Sequence, residues 1–307
     1  MATLLVERFE RCPVMNKSIA SANLQPRAGA ALLLLCASLV SACAQLGVSD
    51  ARELSSEKIT QIVASADRTP ADRNNDLRRK PEQMLAFLRL RPGMTAFDLS
   101  TGGGYTAELL ARAVGPSGQV YGQSQPPRVA ALQTRVAPEG NSAPNLPSLQ
   151  PTPNAPAPVR RTVVQVFEER SKNAQLSNLI PIIRVFEDPI PAQLAGQIDL
   201  VTLMFNYHDL VHMGIDRARM NVAVFAALKA GGIYVIADHA GRSGTGISEA
   251  GTLHRIEEAF LRKEVEAAGF KLHDEGHFLR NPSDPRDKNT PDPAQPKDEF
   301  VLKFVKR

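Results

Sequence analysis

Three short stretches of the chain hold residue types that can do chemistry. In Ala96-Phe97-Asp98-Leu99-Ser100-Thr101-Gly102-Gly103-Gly104-Tyr105 an apolar lead-in ends in an aspartate, and three glycines follow. A helical pattern then begins at Thr106, so the stretch reads as a strand, a tight turn and a helix N-terminus. Glycines there let backbone N–H groups approach a ligand closely, and Asp98 adds an acceptor. Asn206-Tyr207-His208-Asp209 follows a second apolar run, and Asp238-His239 follows a third. Imidazole titrates near neutral pH, so His208, with Asp209 adjacent, and His239 are candidate proton acceptors. Tyr207 is suited to packing on a ligand or hydrogen-bonding one.

Two other motif readings fare less well. Gly102, Gly104 and Ala107 fit a loose Gly-x-Gly-x-x-Ala dinucleotide fingerprint, which needs an acid about 20 residues further on. Ser124 occupies that place. His208-Asp209-Leu210-Val211-His212 is H-D-x-x-H, close to the H-E-x-x-H zinc motif of a metal-dependent hydrolase. A third ligand is not obvious beyond Asp216 or His239, and no metal is expected.

The elements that must position these residues alternate. Helices are expected over Ser55–Ala64, from Pro81 through Leu88, over Arg161–Asn173, Asp216–Leu228 and Glu249–Ala268. Strands are expected at Ala96–Leu99, Gln119–Gly122, Leu179–Phe186, Ile198–Phe205, Ile233–Asp238 and Phe300–Phe304. Ile198–Phe205 is almost wholly apolar, as a strand covered on both faces must be. The alternation argues an α/β fold: a doubly wound, mostly parallel Rossmann-like sheet with helices on both faces. In such a sheet ligands sit outside the carboxyl ends of the strands near the order reversal, where Asp98, Ser124, Asp188, His208 and Asp238 would converge.

The N-terminus reads as a targeting segment. Residues 28–40 form a short apolar run after Lys17 and Arg27, too short to span a bilayer comfortably. Leu39-Val40-Ser41-Ala42-Cys43 resembles a bacterial lipobox, with Cys43 as the lipidated first mature residue; Ala42-Cys43-Ala44 also offers cleavage after Ala44. Glu7, Arg8, Glu10 and Arg11 suit a signal peptide poorly, which points to Met15 as the start. The expected organisation is a signal peptide over 1–43, a helical linker over 44–77 and a catalytic-type domain over 78–307. The expected location is periplasmic, lipid-anchored to the outer membrane, with the membrane met only through Cys43.

All three cysteines, Cys12, Cys36 and Cys43, lie at or before the processing site, so the mature chain has no disulfide framework. The formal charge of the chain is +4, with no Lys/Arg cluster or aromatic platform suited to nucleic acid. Nine prolines fall between Pro126 and Pro158 among few large apolar residues, and 126–158 is expected to be a disordered insertion.

Over residues 78–307, the insertion apart, the chain resembles the class I S-adenosylmethionine-dependent methyltransferases. Asp98-x-Ser100-x-Gly102-x-Gly104 matches their first motif, with Ser100 in place of the first glycine. Gln197–Val201, the helix ending Ala227-Leu228-Lys229-Ala230-Gly231-Gly232, and Glu264–Phe270 match their later elements. It is most similar to predicted bacterial methyltransferases carrying Asn206-Tyr207-His208-Asp209, Asp238-His239, Leu253-His254-Arg255-Ile256 and Leu279–Arg286. The resemblance implies S-adenosylmethionine as cofactor, a small-molecule or envelope acceptor, and a donor site at Asp98, Gly102, Gly103, Gly104, Ser124 and Asp188. It implies Tyr207, His208, Asp209 and His239 for catalysis. The family's ribose-binding acid after the second strand is here Ser124 or Gln123, which forgoes a charge-assisted bond. A methyltransferase-like protein that binds a ligand without turnover is the alternative.

Overall fold

The computed structural model describes residues 53–126, 161–289, 291 and 295–307. The expected signal peptide and lipobox lie outside them, as does the proline-rich insertion apart from Pro126. Among the described residues no helix is long and apolar enough to cross a membrane.

The elements run α1 (Ser56–Val63), α2 (Pro70–Arg79), α3 (Pro81–Leu88), β1 (Thr95–Leu99), α4 (Tyr105–Val114), β2 (Gln119–Ser124) and α5 (Val163–Arg170). There follow β3 (Leu179–Ile183), β4 (Ile198–Met204), α6 (Tyr207–His212), α7 (Arg217–Ala227), β5 (Leu228–His239), α8 (Glu258–Ala267), β6 (Lys271–Gly276) and β7 (Glu299–Val305). The seven strands form one sheet in the order β3-β2-β1-β4-β5-β7-β6. β1 to β5 are parallel, and β7 inserts antiparallel between β5 and β6. The doubly wound sheet expected from the alternation is thus present. Its order reverses between β1 and β4, so a crevice at the carboxyl edge opens there.

Two hydrophobic layers cover the sheet. Leu85, Leu88, Leu109, Leu110 and Phe167 pack on one face, and Met220, Val224, Leu261, Val265 and Phe270 on the other. The helical segment expected to be a linker before residue 78 is built into the same unit: Ile59 and Ile62 of α1 join the first layer.

α2 lies outside the helices expected from sequence, because Pro-Ala-Asp-Arg-Asn-Asn-Asp-Leu-Arg-Arg has no apolar stripe. Its buried residues are Asp72 and Arg79, and its lone large apolar side chain, Leu77, is exposed. Thr69 caps it by accepting from the Asp72 N–H at 3.1 Å, and Pro70 opens the first turn. β6 is a polar edge strand, which explains its absence from an apolar reading. The helix expected over 249–268 starts only at Glu258. Leu253 and Ile256 do have helical spacing, but Ile256 pairs with Ala240 beside the end of β5, and His254 adopts a left-handed φ of 51°.

Candidate functional site

The carboxyl edge carries two clusters. The first surrounds the turn after β1. Asp98 is buried, and its two oxygens accept from Thr202 Oγ1 at 2.7 Å and Thr101 Oγ1 at 2.8 Å. Burial pushes its carboxyl up to about 6, against the pull of those hydroxyls and of Arg79. Asp98 therefore braces the turn from beneath. Ser100, at φ 59°, donates its N–H to Gln123 Oε1 at 2.9 Å and its hydroxyl to Asn206 Oδ1 at 2.7 Å. Gln123 Nε2 donates to the Arg184 carbonyl at 2.6 Å. With its amide committed at both ends, Gln123 leaves Ser124 as the polar side chain at the end of β2. The Ser124 hydroxyl is buried and has no hydrogen-bond partner among the described residues.

The glycines have a packing task as well. Gly104, at φ 85°, precedes α4, and a Cβ built there would lie 2.5 Å from the Phe167 ring. A Cβ on Gly122 would lie 2.3 Å from the same ring. Phe167 of α5 thus seats directly on the backbone of the β1 turn and β2, which only glycine permits. Arg170, one turn later, donates to the Gly103 carbonyl at 2.9 Å and to both Asp72 oxygens at 2.9 and 3.0 Å, and also pairs with Glu108. These bonds tie α2 and α5 to the turn. Arg79 of α2 lies over the Phe205 ring at 4.6 Å and the Tyr105 ring at 5.3 Å, and burial lowers its guanidinium to about 10.

The second cluster stands at the ends of β4 and β5. Phe205, at φ 59°, turns the chain sharply after β4 and starts α6. His208, fully buried, lies between two carboxylates. Its Nδ1 is 2.6 Å from Asp238 Oδ1, and its backbone N–H donates to Asp238 Oδ2 at 2.8 Å. Its Nε2 is 3.2 Å from Asp209 Oδ1 without the alignment of a hydrogen bond. Burial alone would lower its imidazole pKa; the charge of Asp238 and the contact with Asp209 outweigh that and raise it to about 10. Asp209 shows the converse: burial pushes it up, but His208 and His254 hold it well below the usual carboxylate range. His254 Nδ1 lies 3.1 Å from the same Asp209 oxygen, and Asn206 Nδ2 donates to the other at 2.9 Å. The His239 ring lies 5.3 Å from that of His208, tilted by 43°, and places Nδ1 3.0 Å from Glu299. Burial carries its imidazole well below the usual range.

Of the residues expected from sequence, His208, Asp209 and His239 are brought together, and Asp98, Gly102–Gly104 and Ser124 share the other cluster. Tyr207 and Asp188 are not with them. The Tyr207 hydroxyl accepts from Asn221 at 2.9 Å and donates to Glu264 at 3.1 Å, which fixes it in the α7–α8 layer. Tyr207 thus faces the α7–α8 layer while His208 faces Asp238. Asp188 is exposed beyond edge strand β3 and pairs with Arg184. Arg255, a candidate for anion binding, is fully buried and holds Ala240, Asp284 and Lys288 together. The residue missed is His254, whose recruitment depends on a left-handed backbone in a stretch with helical spacing. A cavity of about 340 Å³ lies between α1, α4 and residues 174–178, and none of these candidates lines it.

The strand order, the antiparallel β7 and the turn after β1 define the Rossmann-like methyltransferase fold. The chain is similar to a solved S-adenosylmethionine-dependent methyltransferase from Aquifex aeolicus, at 17% identity and a TM-score of 0.50, over 83% of this chain and 100% of that one. It is also similar to Aeropyrum pernix fibrillarin, solved with S-adenosylmethionine natively bound, at 16% identity and a TM-score of 0.40, over 70% and 67%. A third similar structure is the [4+2]-cyclase SpnF, at 15% identity and a TM-score of 0.47, over 74% and 82%. No family model and no curated protein matches the chain.

Proposed function

We propose that this chain is an S-adenosylmethionine-dependent methyltransferase of a small molecule or envelope component. The observation that carries the reading is the β1–turn–α4 unit at the strand-order reversal. The cofactor test rests on Ser124, whose buried hydroxyl, unbonded among the described residues, stands at the end of β2 and suits a ligand hydroxyl. The N–H groups at the start of α4 and the backbone of Gly102 and Gly103 would hold the rest of the donor. Bound S-adenosylmethionine supplies a methyl group already activated by its sulfonium. The chain's own work is then to orient donor and acceptor and, where the acceptor needs it, to take up a proton. His239, beside Glu299, and His208 with Asp209 border the proposed acceptor end. Asp98 braces the donor turn.

Calorimetry with S-adenosylmethionine and S-adenosylhomocysteine tests this. One site per chain is expected, and Ser124→Asp should tighten S-adenosylhomocysteine about tenfold by adding a charge-assisted bond. No binding at about millimolar ligand overturns the reading. The complete burial of His208 favours one other reading, ligand binding without turnover. Stoichiometric binding with no transfer of labelled methyl to any envelope extract would select it.

The proposal extends to export, on the lipobox alone. Labelled palmitate should enter the wild-type protein and be absent from Cys43→Ser. Its absence from the wild type removes the lipid anchor.

A further inference from the structure

The second cluster holds chemistry that methyl transfer does not call for. His208, Asp209 and His254 each offer one ligand atom, all within 4.8 Å of one another, and all three residues are buried. The geometry points to a site for one divalent first-row transition ion, zinc foremost, bound by His208 Nε2, Asp209 Oδ1 and His254 Nδ1. The inference does not depend on the methyltransferase reading.

Distances support it first. Ligand bonds of about 2.0 Å around tetrahedral zinc set neighbouring ligand atoms about 3.3 Å apart. Asp209 Oδ1 stands 3.2 Å from His208 Nε2 and 3.1 Å from His254 Nδ1. The remaining edge, between the two imidazole nitrogens, is no longer than 4.8 Å.

Ligand orientation supports it next. Metal-bound histidines characteristically give their other nitrogen to a carboxylate, and metal-bound carboxylates are themselves hydrogen-bonded. Asp238 holds His208 Nδ1 at 2.6 Å, which turns Nε2 towards Asp209. Asn206 holds the outer oxygen of Asp209 at 2.9 Å and is itself fixed by Ser100. Among the described residues, His208 Nε2 is buried and makes no hydrogen bond. At 3.2 Å, His208 Nε2 and Asp209 Oδ1 face one another across a gap that holds either a proton or a metal ion. Two imidazoles and one carboxylate form a borderline donor set, suited to zinc rather than to calcium or magnesium.

This is not the H-D-x-x-H arrangement. His212 turns towards Gly251 and contributes no atom to the triplet; the third ligand comes from the segment before α8. Three protein ligands leave a fourth position for water or a substrate atom.

The purified full chain, stripped with a chelator, should be titrated with Zn²⁺ against a chromophoric competitor and with Co²⁺ by visible absorption. One equivalent is expected, at submicromolar affinity. His254→Ala should weaken it at least 100-fold, Asp238→Asn by 10- to 100-fold, and His212→Ala by less than twofold. X-ray absorption of the wild-type zinc form should count two imidazoles, which keeps the test valid if a variant fails to fold. The inference is overturned if natively folded protein takes up no stoichiometric zinc or cobalt at about 100 µM. Binding that survives His254→Ala, or a count other than two imidazoles, also overturns it. Nitrogen NMR showing both His208 nitrogens protonated with zinc present would mean that a proton, not a metal, sits between the carboxylates.

Discussion

The two halves of the carboxyl edge are built on different physics. The turn after β1 is held by shape: Phe167 rests on Gly104 and Gly122 at distances that admit no side chain. The ends of β4 and β5 are held by charge: Asp238, His208, Asp209 and His254 form a buried chain of contacts between 2.6 and 3.2 Å. Shape fails by overfilling, and charge fails by leaving a partner uncompensated. The same edge should therefore answer differently to a methyl group and to a lost charge.

The largest effect should come from overfilling. Gly104→Val adds a β-branched side chain at φ 85° against Phe167 and should cost about 4 kcal/mol of stability, read from the urea midpoint. Phe167→Leu in the same chain should recover part of it, because the clash is with that ring. Next comes the charged half. Asp238→Asn leaves buried His208 without the carboxylate on its Nδ1 and should cost about 3 kcal/mol, with no relief from a smaller neighbour. A rescue of Asp238→Asn by trimming nearby side chains would erase the distinction.

Asp98 sharpens the comparison, since it is a charge placed in the shape-held half. Its carboxyl is raised in the folded protein, to about 6, so protonated Asp98 favours folding below about pH 4. That contribution is lost as pH rises past 6. Asp98→Asn should remove the loss, gaining up to about 3 kcal/mol over wild type at pH 8 relative to pH 4. Denaturation curves across that range that run parallel for the two proteins would contradict it. The smallest effects should be at Gly103→Ala, whose Cβ meets Val166 at an ordinary 3.5 Å, and at Asp188→Ala in the exposed pair with Arg184. Both should stay within about 1 kcal/mol.

What is legible in the sequence follows the same division. β1, β4 and β5 announce themselves as apolar runs, and Gly102–Gly104 mark the turn, so the order of residues alone places the shape-held half. It does not place α2, because the inward face of that helix is charged; its one sequence signal is Thr69-Pro70 followed by Asp72, a helix start. His208 and Asp209 are legible as a motif, but their third companion is not. His254 reaches them through a left-handed residue within a stretch whose apolar spacing predicts a helix. Tyr207 shows the reverse failure: position beside His208 in sequence implies a shared role, and helical geometry sends it into the opposite layer.

The position of β7 bears on the order of assembly. β6 precedes it in the chain and, among the described residues, pairs with β7 alone, so β6 joins the sheet only through β7. That insertion pairs Ile233 with Val305 and His239 with Glu299, contacts of long sequence separation that pay their loop-closure entropy before any reward. The β5–β7 pairing should thus be a late portion of folding, and the His239–Glu299 contact forms only with it.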